Sequence, residues 1–161
     1  MRLVSVIGAS SPVEREEEIA EELGEMLARE GLVLVCGGGS GVMAAACRGA
    51  RRAGGLTLGI LPTPDRSFAN EDVQIAVPTG LGAARNRLVA LTGEAVVAVG
   101  GRYGTLSEIA FALDAGRPVC SIGGWREVEG VRAVSSAREA LEFVLNALGL
   151  SHRTSLAGGC V

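Results

Sequence analysis

Short apolar runs alternate with helix-length stretches along the whole chain, and a glycine ends most helices a few residues before the next run. The runs are Leu3 to Ile7, Leu32 to Cys36, Leu56 to Leu61, Val73 to Val77, Ala95 to Val99, Val119 to Ile122 and Val131 to Val134. Between them, helical spacing covers Val13 to Glu30, Val42 to Ala53, Ala83 to Thr92, the stretch ending at Ala115 and Ser136 to Leu148. A strand that returns through a helix must come back parallel to its predecessor. The expected fold is therefore α/β: a doubly wound, mainly parallel sheet of about six to seven strands with helices on both faces. A chain with 48% hydrophobic residues, 3% aromatic residues and 24 glycines suits an aliphatic sheet of this kind. Residues 1–150 are expected to form one domain, followed by a loose C-terminal tail over 151–161.

What the chain lacks narrows its chemistry. All 15 basic residues are arginine, which excludes a Schiff-base lysine, a Walker A lysine and any lysine nucleophile. The only histidine, His152, falls at the start of the tail, so neither a histidine triad nor a histidine-rich metal site is expected. Cys36, Cys47, Cys120 and Cys160 are scattered without a C-x-x-C pair and read as small buried apolar residues rather than zinc ligands or disulfides. No metal site is expected. A net charge of -3 argues against a general nucleic-acid surface. No apolar run approaches the roughly 18 residues of a membrane span, and Met1 leads straight into the first strand, so a soluble cytoplasmic protein is expected.

Two glycine-rich turns stand out. Gly37-Gly38-Gly39-Ser40-Gly41 follows the second strand, and no acid occurs from Gly37 to Arg52, so the helix beginning there is free to hold an anion, with Ser40 as an extra donor. By contrast, the first helix opens with Glu14, Glu16, Glu17 and Glu18, which repel a phosphate, and its N-terminus is not expected to be the anion site. The second turn, Gly100-Gly101-Arg102-Tyr103-Gly104-Thr105, follows the fifth strand and leads into a helix carrying Glu108. Arg85, in the first turn of another acid-free helix, belongs at the same carboxyl edge of the sheet, where such folds bind ligands. Arg87 is the weaker candidate of the arginine pair. Gly39 to Ala44 matches G-x-G-x-x-A, but it follows the second strand and has no acid near Leu58 to Pro62 to hold a ribose, so a dinucleotide is not expected. Trp125 could stack on a ligand ring or cover the core edge.

This inventory of backbone donors, Ser40, Thr105, Arg85, Arg102 and one carboxylate suits a phosphorylated sugar or nucleotide. Glu108 has two readings. Thr105-Leu106-Ser107-Glu108 is also T-x-x-E, a capping box in which the acid only closes a helix end.

Taken together, Gly37 to Met43, Gly82-Ala83-Ala84-Arg85-Asn86 and Gly100 to Glu108 resemble the landmarks of the LOG family, often labelled lysine decarboxylase-like, over roughly residues 3–145. The resemblance implies a Rossmann-like fold, homodimers or higher homo-oligomers with sites near the subunit interface, and hydrolysis of purine or cytokinin nucleoside 5'-monophosphates to base and ribose 5-phosphate. A lysine decarboxylase is not implied, because the chain has no lysine. The family motif P-G-G-x-G-T-x-x-E falls on Gly100 to Glu108, which puts Glu108 at the catalytic glutamate and Arg85 at the catalytic arginine. Gly37, Gly38, Gly39, Ser40, Gly41, Gly100, Gly101, Arg102, Gly104 and Thr105 are then the candidate phosphate-binding residues. Gly100 replaces the motif's proline, Arg102 its second glycine, and Ala84-Arg85-Asn86 the usual E-R-K. These departures resemble a neighbouring branch that includes molybdenum cofactor carrier proteins, which hold a phosphorylated pterin and need catalyse nothing.

The chain thus poses two alternatives. In one it is a hydrolase that needs no cofactor, in the other a carrier with molybdenum cofactor as cargo. Either partner is a small phosphorylated ligand, and neither a nucleic acid nor a membrane is expected.

Overall fold

The structure, a computed structural model, describes residues 1–152. From residue 153 onward the expected tail lies outside the described residues. Seven strands form one sheet: β1 (Leu3–Gly8), β2 (Val33–Cys36), β3 (Thr57–Leu61), β4 (Ile75–Pro78), β5 (Ala95–Val99), β6 (Val119–Ile122) and β7 (Val131–Val134). Their order is β4-β3-β2-β1-β5-β6-β7, and every neighbouring pair is parallel. The five helices are α1 (Glu14–Arg29), α2 (Val42–Arg52), α3 (Asn86–Thr92), α4 (Tyr103–Asp114) and α5 (Ala137–Ala147). This is the Rossmann-like, doubly wound arrangement expected from the alternation of runs.

Side chains alternate across each strand, so β1 feeds two cores. Val4 and Val6 pack under α1, α2 and α5, with Leu23, Leu27, Ala46, Leu141 and Val144. Ile7 faces the other way, toward Val89, Ala90, Ile109 and Ala112 of α3 and α4. Helices α1 and α2 meet backbone to backbone: a Cβ on Gly24 would lie 2.0 Å from the Ala46 carbonyl oxygen. Glycine and alanine on these helices serve this close approach.

Element ends follow local chemistry. Serine 136 caps α5, its Oγ accepting from the Glu139 N–H at 3.2 Å, while Glu139 accepts from the Ser135 N–H at 2.9 Å. The fourth strand starts later than the apolar run, at Ile75, because Thr57 ties up the residues before it. Thr57 Oγ1 donates to the Asp72 carbonyl at 2.6 Å and accepts from the Gln74 N–H at 3.0 Å. The helix expected from Ala83 opens instead as a 3-10 turn, Gly82–Arg85, before α3 begins. No helix among the described residues is long and apolar enough to cross a membrane.

Candidate functional site

The strand order changes direction at β1, whose neighbours are β2 on one side and β5 on the other. In open parallel sheets the crevice outside the carboxyl ends of such strands is where ligands bind. Here it is an open cleft of about 590 Å³, walled by the loop after β1 (Gly8 to Ser11), Arg85, Asn86 and the N-terminal turn of α4 with Glu108. A second cleft of about 530 Å³ lies between β7 and α5, but its acids Glu139 and Glu142 are exposed, and no residue singled out from the sequence reaches it.

At the bottom of the first cleft Arg85 and Glu108 face each other, Nη1 to Oε1 at 3.6 Å, with the two side chains 11% and 9% exposed. Two hydrogen bonds hold the guanidinium in place. Nη1 donates to Asn86 Oδ1 at 2.5 Å, and Nη2 to the Gly37 carbonyl at 3.4 Å. Asn86 in turn donates to Ser107 Oγ at 3.0 Å, and Ser107 to the Gly104 carbonyl at 2.6 Å, which ties Arg85 to the start of α4. The asparagine in Ala84-Arg85-Asn86 thus has a structural use: it orients the arginine. Arg85 Nε is buried without a hydrogen-bond partner among the described residues.

Glu108 is not a helix cap. Helix α4 begins at Tyr103, with the Leu106 N–H already donating to the Arg102 carbonyl at 3.0 Å, so Thr105 stands inside the helix and T-x-x-E closes no box. Burial pushes the Glu108 carboxyl up to about 8, and the charge of Arg85 opposes that rise only in part. Burial likewise lowers Arg85 from the usual arginine range, against the pull of Glu108.

Of the candidates named from the sequence, Arg85, Gly101, Arg102, Gly104, Thr105 and Glu108 line this one cleft. The first turn of α4 carries no acid and no side-chain cap, leaving its N–H groups available to an anion. Gly37 seats the arginine: a Cβ there would lie 2.6 Å from Arg85 Nη2. Gly38, Gly39, Ser40 and Gly41 do not line the cleft. The carbonyls of Gly38 and Gly39 accept from Asn70 Nδ2 at 3.2 and 2.8 Å, Ser40 Oγ donates to the Ser10 carbonyl at 3.3 Å, and the Val42 N–H of α2 donates to the Ala9 carbonyl at 2.9 Å. Arg87 is exposed and lies over the Phe111 ring, 5.6 Å from its centroid. Trp125 packs on the core beneath α3 and α4, 6.2 Å from the Tyr103 ring.

Sequence reasoning passed over Ser10, Ser11, Glu16, Met43 and Asn86, all of which line the cleft. The signal was the position of β1 at the centre of the sheet, which makes the Gly8-Ala9-Ser10-Ser11 loop half of the crevice. Glu16 reaches across from α1 so far that a Cβ on Gly100 would stand 2.1 Å from its Oε1.

Cys36, Cys47 and Cys120 are buried free thiols, with Cys36 and Cys47 Sγ atoms 3.5 Å apart; Cys160 lies outside the described residues. His152 Nδ1 is 3.0 Å from Glu30 Oε1, away from the cleft.

Comparison with known proteins agrees with this architecture. The molybdenum cofactor binding protein of Rippkaea orientalis superposes with a TM-score of 0.88 at 35% identity, over 91% of this chain and 97% of that one. The molybdenum cofactor carrier protein of Chlamydomonas reinhardtii gives 0.84 at 35% identity, over 92% and 99%. Cytokinin riboside 5'-monophosphate phosphoribohydrolase of Mycobacterium tuberculosis is 31% identical over 140 residues, covering 81% of this chain and 75% of that protein. The SLOG cluster4 family profile matches residues 1–147. By that match, and by its likeness to both groups of relatives, the chain belongs to the SLOG cluster4 family, a LOG-like lineage close to the molybdenum cofactor carriers.

Proposed function

We propose that this protein hydrolyses the N-glycosidic bond of a purine or cytokinin nucleoside 5'-monophosphate, giving free base and ribose 5-phosphate. One observation carries the reading: Glu108 is a buried carboxyl with no capping duty, 3.6 Å from Arg85 at the floor of the cleft. The 5'-phosphate sits on the N–H groups of the α4 N-terminus beside Gly101, Arg102, Gly104 and Thr105. The C1'–N bond then breaks with its electron pair leaving on the base nitrogen, and positive charge develops on the ribose. Ionised Glu108 stabilises that charge and takes a proton from the water whose oxygen bonds to C1'. Solvent returns a proton to the base. Arg85 helps hold Glu108 ionised and orients the substrate.

The relatives' names support a ligand of this class, and the LOG resemblance implies a homodimer or higher homo-oligomer. The test is release of adenine from AMP, followed by chromatography. Glu108→Gln should stop release while AMP still binds. No release from any purine or cytokinin monophosphate would overturn the proposal.

A second reading, a non-catalytic carrier of molybdenum cofactor, is favoured by the near full-length match to the cofactor-binding and carrier structures. It expects saturable, stoichiometric binding of that cofactor without product.

A further inference from the structure

We propose that Glu16 reads the sugar of the ligand, its carboxylate accepting hydrogen bonds from the 2'- and 3'-hydroxyls of a ribose 5-phosphate unit. The inference rests on the phosphate seat described under the proposed function, but not on turnover. Glu16 is half-buried and lines the same cleft as Arg102 and Thr105, from a separate element. Its two oxygens have different surroundings. Oε2 accepts from the Val13 N–H at 3.1 Å, which fixes the carboxylate. Oε1 has no hydrogen-bond partner among the described residues and occupies a notch between the turns after β5 and β6. A Cβ on Gly100 would be 2.1 Å from it, and one on Gly123 3.6 Å.

Gly100 is therefore the residue that admits Glu16: any side chain there would take the place of the carboxylate. A carboxylate fixed by one N–H, with its other oxygen lacking a donor, repels a second anion and favours neutral donors. The phosphate is accordingly directed to the α4 N-terminus, which starts beyond Gly101. The group next to a 5'-phosphate is the sugar, with the base one ring further away, so the sugar is what comes within reach of a notch at Gly100. A vicinal diol presents two O–H donors to one carboxylate, a pairing that nucleotide-binding sheets use elsewhere.

Binding is measured by titration calorimetry in the Glu108→Gln background, where no substrate is consumed, with AMP, 2'-deoxy-AMP, 3'-deoxy-AMP and adenosine. We expect AMP to bind at least about tenfold tighter than either deoxy analogue, as for loss of a hydrogen bond to a charged acceptor. Glu16→Ala should bring both ratios close to one, and Glu16→Gln should reduce them, with AMP losing more affinity than either deoxy analogue, which has only one hydroxyl left to give the carboxylate. General damage to the cleft would weaken all of them together. Gly100→Ala should remove the same preference by displacing Oε1, with its folding checked by thermal melting. Ratios unchanged in Glu16→Ala, or no preference for AMP before substitution, would overturn the inference. The phosphate seat is read separately, as tighter binding of AMP than adenosine. If that difference is missing, the phosphate seat falls, and adenosine against 2'-deoxyadenosine still tests Glu16. No binding by any of these ligands overturns both.

Discussion

Arg85 Nη1 stands 3.6 Å from Glu108 Oε1 with both side chains nearly buried, close enough for charge to matter and too far for a strong hydrogen bond. The guanidinium is committed to Asn86 and Gly37 instead. Arg85 thus tunes Glu108 through space without clamping it, and the carboxylate remains free to take a proton.

A pH profile follows from that geometry. The proposed hydrolysis needs ionised Glu108, and burial pushes that carboxyl up to about 8. The value of kcat/KM should rise about tenfold per pH unit below that point and level off above it. Arg85 lowers the Glu108 value, so Arg85→Gln should move the rising limb to higher pH as well as slowing the reaction. A limb in the same place would show that the two groups are not coupled.

Stability should respond in the opposite direction. Folded Glu108 keeps its proton to about pH 8, whereas an unfolded glutamate releases it near 4.5. Between those values the unfolded state binds fewer protons, so stability is lost as pH rises, by about 1.4 kcal/mol per pH unit from this one group. Glu108→Gln has no such loss. Urea melts at pH 5.5, 6.5 and 7.5 should show the variant gaining on the wild-type protein at each step.

The seat of the arginine can be tested at Gly37. Its alanine variant puts a Cβ 2.6 Å from Arg85 Nη2 and 2.8 Å from Cζ, so the guanidinium must move from its two acceptors. We expect a stability loss of about 1–2 kcal/mol. Activity should fall more than tenfold, because the displaced group is the one that tunes Glu108. Equal activity of variant and wild type would remove Gly37 from the site.

Asn70 holds the turn behind that seat, through Nδ2 to the Gly38 and Gly39 carbonyls and its own N–H to Gly38 at 2.8 Å. Asn70→Ala keeps the backbone donor to Gly38 but leaves the Gly39 carbonyl without its donor, and should cost about 1–3 kcal/mol in denaturant melts. Asn70→Asp, which turns a carboxylate oxygen toward those carbonyls, should cost more than alanine.

Much of this fold could be read directly. The runs Ala95 to Val99, Val119 to Ile122 and Val131 to Val134 coincide with β5, β6 and β7, because apolar side chains and glycine stops are local properties. Strand order is not local, and it decides which turns share an edge of the sheet. Gly37 to Gly41 and Gly100 to Glu108 looked alike in sequence, yet only the second opens into the cleft, since β1 lies between β2 and β5 and sends its own loop there. Glu108 posed a different problem. T-x-x-E fits a capping box, and the difference lies in α4 starting two residues before Thr105, at Tyr103. Glu16 was legible as a helix acid but not as a wall of the cleft, because its partner Gly100 is 84 positions away, the difference of their residue numbers.

The central strand pair has a further consequence for how the site comes into being. Ser5 pairs with Val96 and Gly8 with Val99, so docking β5 on β1 closes a loop of 91 residues, from 96 minus 5. Contacts so distant along the chain are among the slower ones to form. Ser10, Arg85 and Glu108 have no common cleft until that closure happens, and a fragment containing only the β1–β4 half would lack both acid and arginine. Ligand binding therefore reports on the finished molecule alone, and a saturating ligand should slow the global unfolding of the whole sheet instead of merely tightening one loop.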